Sequence, residues 1–217
     1  MDWLEKKNIH AVVFDFDDTL VSGSYWIEER WRKTLEYVSE EYNINNFEKI
    51  FWSIFHQKGP YYKYHVNEAL SKISADIKLV EDIVKYFHDV QIDDLFIEGA
   101  LECLEYLKDS YVLGIITNGR KAIQMGRINR IGILDYFSSI ICAYDFPKPS
   151  KIPFEKCIEE LQILPKNIIY VGDNYELDYL PALELGFNPI LFNNDLNNIK
   201  SKCFHIENFK SLIELLK

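Results

Sequence analysis

The sequence predicts an α/β fold with a parallel, doubly wound sheet covered by helices. Three observations support this prediction: short apolar runs recur along the chain, helical patterns separate them, and the runs are continuously hydrophobic. Continuous hydrophobicity is typical of strands buried on both faces of a parallel sheet. Strands that alternate with helices imply right-handed crossovers. The core is therefore expected to be Rossmann-like.

Five apolar runs are the predicted strands. In chain order they are AVVFDFD (11–17), YVLGIITN (111–118), SIICAYD (139–145), NIIYVGD (167–173) and NPILFN (188–193). Helices are predicted at about 99–109, 121–131, 151–163, 177–185 and 208–216. Gly132 and Gly186 lie where two of these helices are expected to end, and Pro165 follows a third.

An all-helical segment interrupts this alternation directly after the first strand. It contains four helical stretches, at roughly 25–42, 47–57, 62–73 and 77–90. In the first of them Trp31, Leu35, Val38 and Tyr42 follow the spacing of one helix face. We therefore predict two domains, an α/β core formed by residues 1–21 and 94–217 and a helical domain formed by residues 22–93.

The composition restricts the possible functions. The chain has 217 residues, of which 48% are hydrophobic, and a net charge of −10. This acidic balance argues against binding to nucleic acid polymers or anionic membranes, but a local cation can still hold an anionic substrate. Neither a secretory signal pattern nor a membrane-spanning apolar run is found. The four cysteines form no CxxC pair, which predicts reduced thiols in a cytoplasmic protein.

Acidic residues lie where two predicted strands end. The first strand runs into Asp15, Asp17 and Asp18, and the NIIYVGDNYELD segment carries Asp173 and Asp178. Ligands of open α/β sheets bind outside the carboxyl ends of the strands, so these acids are expected to converge. Two unit charges roughly 5 Å apart repel by about 3 kcal/mol at an effective dielectric near 20. A divalent cation ligated by Asp15 and Asp173 would cancel this repulsion, and Mg²⁺ suits oxygen ligands and substrate phosphate.

The same edge of the sheet is expected to carry the groups needed for phosphoryl transfer. Residues i and i+2 of an extended chain share a side, so Asp15 and Asp17 are predicted to converge. One carboxylate can attack phosphorus while the other protonates the leaving oxygen and deprotonates the incoming water. Thr117 can hold the phosphoryl oxygens, and Lys148 can neutralise their charge.

Four short motifs occur in order along the chain: DFDDTL, ITN, the Lys148 segment KPSKIPF, and VGDNYELD. They resemble, in the same order, the four motifs of the haloacid dehalogenase superfamily of phosphohydrolases. The resemblance spans residues 11–191, and the 22–93 segment is similar in position and helicity to the helical (C1-type) cap of that family. It implies a Mg²⁺-dependent phosphatase that hydrolyses a small phosphorylated metabolite through an aspartyl-phosphate.

The resemblance also implies roles for individual residues. Asp15 would be the phosphorylated nucleophile and Asp17 the general acid/base. Thr117 and Asn118 would bind the phosphate, with Asn118 contributing mainly through its backbone. Lys148 would steady both the nucleophile and the phosphate.

A metal site is implied by the same resemblance. Asp15 and Asp173 would ligate Mg²⁺ through their carboxylates, and Asp17 would do so through its backbone carbonyl. Asp178 would act in the outer shell of the metal, and a capping or loop role for it stays open. Asp18 is expected to be a turn residue.

The third motif departs from the family pattern. Asp-Pro usually follows the motif lysine, whereas here Ser150 and Lys151 intervene before Pro153. Lys148 is preferred to Lys151 as the motif lysine, because Lys-Pro matches the family and Lys151 fits the exposed first turn of the following helix.

Two further regions carry basic residues. The loop at 56–65, HQKGPYYKYH, is expected to be solvated, with the alternative that it lowers a cation and a ring onto the active site. Four basic residues that follow the second motif are expected to be surface charge, with a weak anion-binding rim as the alternative: Arg120, Lys121, Arg127 and Arg130.

Two other functions are compatible with part of this pattern. A phosphomutase would use the same residues and return the phosphoryl group to a sugar, which requires a cap that excludes water. A phospho-acceptor signalling domain also places acids, a threonine and a lysine at strand ends, but its acceptor lies on a middle strand and no helical insert follows its first strand.

Overall fold

The computed structural model describes residues 8–60, 62–192 and 203–217. Two compact units make up the chain: one is formed by the segments up to Ser22 and from Asp94 onward, and the other is Gly23–Asp93. Among the described residues, no helix combines the length and the apolar character that crossing a membrane requires.

A parallel sheet forms the centre of the first unit. Its strands are β1 (Ala11–Phe14), β2 (Val112–Asn118), β3 (Ser139–Ala143), β4 (Ile168–Gly172), β5 (Asn188–Phe192) and β6 (His205–Ile206). They lie in the order β3-β2-β1-β4-β5-β6, and every neighbouring pair is parallel. The predicted α/β fold is therefore confirmed. Two-residue β6 was not predicted, and position 193 of the fifth predicted strand lies outside the described residues.

Every predicted helical stretch coincides with a helix. The second unit contains α1 (Gly23–Tyr42), α2 (Phe47–Lys58), α3 (His65–Lys72) and α4 (Leu79–Asp89). The first unit contains α5 (Ala100–Leu107), α6 (Lys121–Arg130), α7 (Ile152–Leu161), α8 (Leu180–Glu184) and α9 (Phe209–Leu215). A single π-helical turn, Tyr175–Tyr179, precedes α8.

Strand β1 is buried on both of its faces. Val12 and Phe14 belong to one hydrophobic cluster, which includes residues of α5 and α9. Ala11 and Val13 belong to a second cluster on the other side, which includes residues of α7. This two-sided burial explains why the strand is continuously apolar in sequence.

The helical unit has a core of its own, built on aromatic side chains. The Trp31 ring stacks on Phe87 with centroids 4.0 Å apart and lies 4.6 Å from Phe51. His65 is also buried in this core, beside Phe51 and Phe55. The expectation that this histidine belongs to a solvated loop is therefore wrong; Tyr61 of the same loop lies outside the described residues.

The strand order fixes where a ligand can bind. The chain first adds strands to one side of β1 and then continues from β4 on the other side, so the order reverses between β1 and β4. Open α/β sheets bind their ligands in the crevice at such a reversal, outside the carboxyl ends of the strands. Asp15 follows β1 and Asp173 follows β4, which places both acids at this crevice.

Candidate active site

The loop that follows β1 is tightly folded and fixes its acids. The Asp15 N–H donates to the Val171 carbonyl at 2.8 Å, which continues the pairing of β1 with β4. The Leu20 and Val21 N–H groups both donate to the Phe16 carbonyl. Asp18 adopts a left-handed conformation with φ 57°, which confirms its assignment to a turn. The chain therefore turns sharply directly after the first two acids.

The loop that follows β4 is held by side-chain caps. Asn174 Oδ1 accepts from two backbone N–H groups at the start of the π-helical turn, each at 3.0 Å. Asp178 Oδ2 accepts in turn from the Asn174 N–H at 3.1 Å. A Cβ at position 172 would lie 2.6 Å from Asp178 Cβ, so only glycine at 172 lets Asp178 approach the strand end.

Three carboxylates meet at this edge of the sheet. Asp15, Asp173 and Asp178 each offer an oxygen, and these oxygens lie within 4.8 Å of one another. Lys148 Nζ lies 2.8 Å from Asp15 Oδ1 and 2.5 Å from Asp178 Oδ1. The structure thus brings together four of the residues that the sequence singled out. Their chemical roles stay predictions.

The acids of this cluster are not fully neutralised by Lys148. Burial raises the pKa of Asp173 to about 7, and the charge of Asp178 adds to the effect. Burial also raises the pKa of Asp15, against the lowering effect of Lys148. For Lys148, burial lowers the pKa, but Asp15 and Asp178 outweigh this and raise it overall. When all three are ionised, these carboxylates carry more negative charge than the single ammonium group of Lys148 can neutralise.

This arrangement fits a divalent cation. Three carboxylates face a single ammonium group, and their oxygens are close enough to share one ion. Mg²⁺ prefers oxygen ligands of this kind. A cation bound by Asp15 and Asp173 would favour their ionised forms, against the burial and the smaller repulsion between acids that raise their pKa values.

Asn118 contributes its side chain as well as its backbone. Its Oδ1 accepts from the Lys148 N–H at 2.8 Å, and its Nδ2 donates to the Lys148 carbonyl at 3.3 Å. The amide of Asn118 therefore fixes the loop that carries the lysine. Lys151 is exposed and pairs with Glu184, as expected for a residue at the first turn of α7.

The Asp17 side chain lies among different partners. Gln124 Nε2 donates to Asp17 Oδ2 at 2.8 Å and to Thr117 Oγ1 at 2.8 Å. Arg127 Nη1 forms an ion pair with Asp17 Oδ1 at 2.8 Å. Because the Arg127 side chain is only 3% exposed, the expectation that it is surface charge is wrong.

Tyr170 is another buried polar residue that the sequence analysis did not identify. Its side chain is fully buried in β4, and its hydroxyl donates to Asp178 Oδ1 at 2.8 Å. Lys148 Nζ donates to the same hydroxyl at 3.2 Å. The sequence contains one indication of it: Tyr170 carries a hydroxyl group within the otherwise apolar run of the fourth predicted strand.

A family profile matches most of the chain. The profile of the haloacid dehalogenase-like hydrolases covers residues 9–186, which include all four motifs and the acid cluster. The chain belongs to this family. This confirms the resemblance seen in the motifs and makes the protein a haloacid dehalogenase-like hydrolase.

Individual relatives match from about three quarters to nearly all of the chain. The chain is 24% identical to the glyceraldehyde 3-phosphate phosphatase of Methanocaldococcus jannaschii, over 96% of this chain and 97% of that protein. It is 30% identical to pyrophosphatase PpaX of Bacillus velezensis, over 78% and 76%. The structure of the HAD-hydrolase YfnB from Bacillus subtilis, bound to magnesium, has a TM-score of 0.75 at 20% identity and covers 97% of this chain and 100% of that one.

Proposed function

We propose that this hydrolase is a Mg²⁺-dependent phosphatase that cleaves a small phosphate ester through an aspartyl-phosphate on Asp15. The observation that carries the proposal is the acid cluster: Asp15 lies 2.8 Å from a buried lysine and shares a cation-sized site with Asp173 and Asp178. The names of the relatives, a glyceraldehyde 3-phosphate phosphatase and a pyrophosphatase, support a small phosphorylated substrate.

Asp15 is suited to attack phosphorus because its carboxylate is held in one orientation. Its Oδ1 accepts from the Phe16 N–H at 2.7 Å and faces Lys148 Nζ at 2.8 Å. In the first step a carboxylate oxygen of Asp15 forms a bond to phosphorus and the ester P–O bond breaks. Asp17 gives a proton to the leaving oxygen.

The second step returns the enzyme to its starting state. The oxygen of a water molecule bonds to phosphorus, the bond between phosphorus and Asp15 breaks, and Asp17 takes the proton. Thr117 and Lys148 hold the phosphoryl oxygens during both steps. A divalent cation would be held by Asp15 and Asp173, with Asp178 behind them, and would neutralise charge on the transferring group.

The test is a panel of phosphorylated metabolites assayed for released phosphate with Mg²⁺ and with EDTA. The panel includes glyceraldehyde 3-phosphate and pyrophosphate, together with sugar phosphates, nucleoside monophosphates and phosphoglycolate. We expect Mg²⁺-dependent release from at least one of them. Conversion of a sugar phosphate to its isomer without released phosphate would instead indicate a phosphomutase.

Removal of the nucleophile tests the covalent step. Asp15→Asn should retain less than about 1% of the wild-type kcat, since loss of a nucleophile typically costs orders of magnitude. Rapid acid quench of the wild type during turnover should trap phosphate on the protein, and the variant should trap none.

Asp18→Asn is the matched control for this variant. It removes the same charge from the same turn, and asparagine tolerates the left-handed backbone of position 18. We expect more than about half of the wild-type kcat, because Asp18 is a turn residue with no part in either step of the proposed reaction. Near-normal turnover by Asp15→Asn would rule out the proposed mechanism.

A further inference from the structure

A buried polar network on α6 surrounds the side chain of Asp17. We propose that Gln124 and Arg127 are positioning residues, which hold the Asp17 carboxylate at a fixed place beside Thr117 for proton transfer. This inference rests on the proposed function, in which Asp17 is the general acid/base. Neither residue belongs to the four motifs.

Both oxygens of Asp17 are held, each by a different residue. Oδ2 accepts from Gln124 Nε2 at 2.8 Å, and Oδ1 faces Arg127 Nη1 at 2.8 Å. Asp17 itself is 26% exposed. Oδ1 is buried, but the side chain as a whole is partly open to solvent, as proton transfer to a substrate requires.

Gln124 also determines the distance between the proton-transfer group and the predicted phosphate site. The same Nε2 atom that contacts Asp17 donates to Thr117 Oγ1 at 2.8 Å. One amide nitrogen therefore ties the acid of the β1 loop to the hydroxyl at the end of β2. A Cβ at position 119 would lie 3.2 Å from Gln124 Cγ, so glycine in the preceding loop leaves room for this side chain.

Arg127 is anchored in turn by groups on its other side. Its Nε and Nη2 atoms contact Asp94 Oδ1 at 2.9 and 2.5 Å, and its Nη1 donates to Gln124 Oε1 at 3.0 Å. The guanidinium also lies 4.9 Å from the centre of the Phe16 ring. A planar group held at three of its nitrogens cannot rotate, so its contact with Asp17 has a fixed direction.

Burying the charged side chain of Arg127 costs free energy of folding, and a purely structural role could be filled by an apolar residue without this cost. Burying an ion pair is often no better for stability than apolar residues of the same size. The sequence nevertheless places an arginine here and extends its pairing from Asp94 to Asp17. Orientation of a reacting group can justify this cost, because a misplacement of about 1 Å can lower a rate by about 100-fold.

The leaving group of the substrate distinguishes positioning from folding. Phenyl, 4-nitrophenyl and 2,4-dinitrophenyl phosphate have progressively better leaving groups, so they need protonation by Asp17 progressively less. The value of kcat/KM reports the steps through departure of the leaving group. A misplaced Asp17 should therefore lower kcat/KM most for phenyl phosphate.

The variants are Gln124→Leu, Arg127→Met and the conservative Arg127→Lys. For Gln124→Leu and Arg127→Met we expect kcat/KM to fall about 100-fold with phenyl phosphate, within the range of general acid catalysis, and less than about 5-fold with 2,4-dinitrophenyl phosphate. Arg127→Lys should lie between these variants and the wild type. Arg130→Met, an exposed position on the same helix, is the control and should behave like the wild type.

Asp94→Asn provides a variant that leaves both direct contacts to Asp17 in place. It weakens the ion pair on the side of Arg127 that faces away from Asp17. We expect the same dependence on the leaving group with a smaller fall in kcat/KM, about 5-fold for phenyl phosphate. Thermal unfolding of each variant shows which of them are folded at the assay temperature.

The outcomes separate this inference from the function on which it rests. A folded variant whose kcat/KM falls equally for all three substrates, or for none, would overturn the positioning role and leave the phosphatase intact. A wild type that hydrolyses none of the three esters or the metabolite panel would overturn the proposed function itself.

Discussion

Two buried cations each hold an acid of the loop that follows β1, and they do so differently. Lys148 binds Asp15 and Asp178, whereas Arg127 binds Asp17 and Asp94. The lysine offers a compact charge at a single point, and the arginine offers a planar fork with several fixed donors.

The two centres differ in the number of carboxylates that surround each cation. At Lys148 a third carboxylate, Asp173, lies in the same cluster, and the pKa values of Asp15 and Asp173 are raised. At Arg127 burial raises the pKa of Asp94 as well, but here two carboxylates face one guanidinium, which has a partner on each side and also binds Gln124. The first centre has the charge to accept a cation, and the second has the rigidity to orient a side chain.

The largest effect should come from exchanging the two cations. We expect Lys148→Arg to lower kcat by about 1,000-fold, nearly as much as Lys148→Met. Lys148 is only 4% exposed, so a guanidinium would overpack its site and displace Asp15. Steady-state kinetics with 4-nitrophenyl phosphate measure the loss.

The reciprocal substitution, of Arg127 by lysine, should lower activity much less. Arg127→Lys keeps a positive charge near Asp17 and should cost about 10-fold in kcat/KM. The comparison would be contradicted if Lys148→Arg stayed within 10-fold of the wild type, since the two centres would then accept either cation.

The next largest effect should be a dependence of the protein's stability on pH, caused by the acids around Lys148. Burial raises the pKa of Asp173 from 3.8 to about 7, with Asp178 and Asp18 adding to the effect and Lys148 opposing it. The folded state therefore binds a proton that the unfolded state has lost, so the metal-free protein should lose stability as pH rises from about 4 to about 7. Thermal unfolding in EDTA across this range measures the slope.

Mg²⁺ should reverse this loss, because ligation requires the ionised carboxylates. At about 100 times its Kd the metal adds about 2.7 kcal/mol, or roughly 5–10 °C in Tm for a chain of this size. The stabilisation should grow as pH rises through about 7, and Asp173→Asn should abolish it. An equal Mg²⁺ effect in Asp173→Asn and the wild type would show that the metal binds elsewhere.

The sequence predicted the Lys148 centre but not the Arg127 centre, for a physical reason. Asp15, Asp173 and Lys148 follow strands of one parallel sheet, and strand ends of such a sheet meet at one edge. Their convergence therefore follows from the fold alone. The fold class followed in turn from the continuous apolar runs.

Arg127 and Gln124 lie inside a helix, where polar residues face solvent by default. Their partner Asp17 is 107 residues from Gln124 along the chain, so no local pattern connects them. The sequence offered one signal: Ile128 is apolar, and Gln124 lies four residues before it on the same helix face. Strand β6 escaped prediction because two residues carry no periodicity.

The smallest effect should come from the residue that completes the Lys148 centre. Tyr170→Phe removes the hydroxyl that is hydrogen-bonded to both Lys148 Nζ and Asp178 Oδ1. Loss of a hydrogen bond typically costs about 0.5–1.5 kcal/mol of the free energy of unfolding. We also expect kcat to fall about 5- to 10-fold, because Lys148 and Asp178 are then less rigidly placed.

Tyr111→Phe is the control that separates these two effects. The Tyr111 hydroxyl donates to the Leu216 carbonyl at 3.2 Å, in the same unit and remote from the acid cluster. Its loss should lower Tm by a similar amount and leave kcat unchanged. If both variants lose stability but neither loses activity, the buried hydroxyl of Tyr170 only supports the fold. The orientation of Lys148 would then depend on its two carboxylates and on Asn118, which holds its backbone.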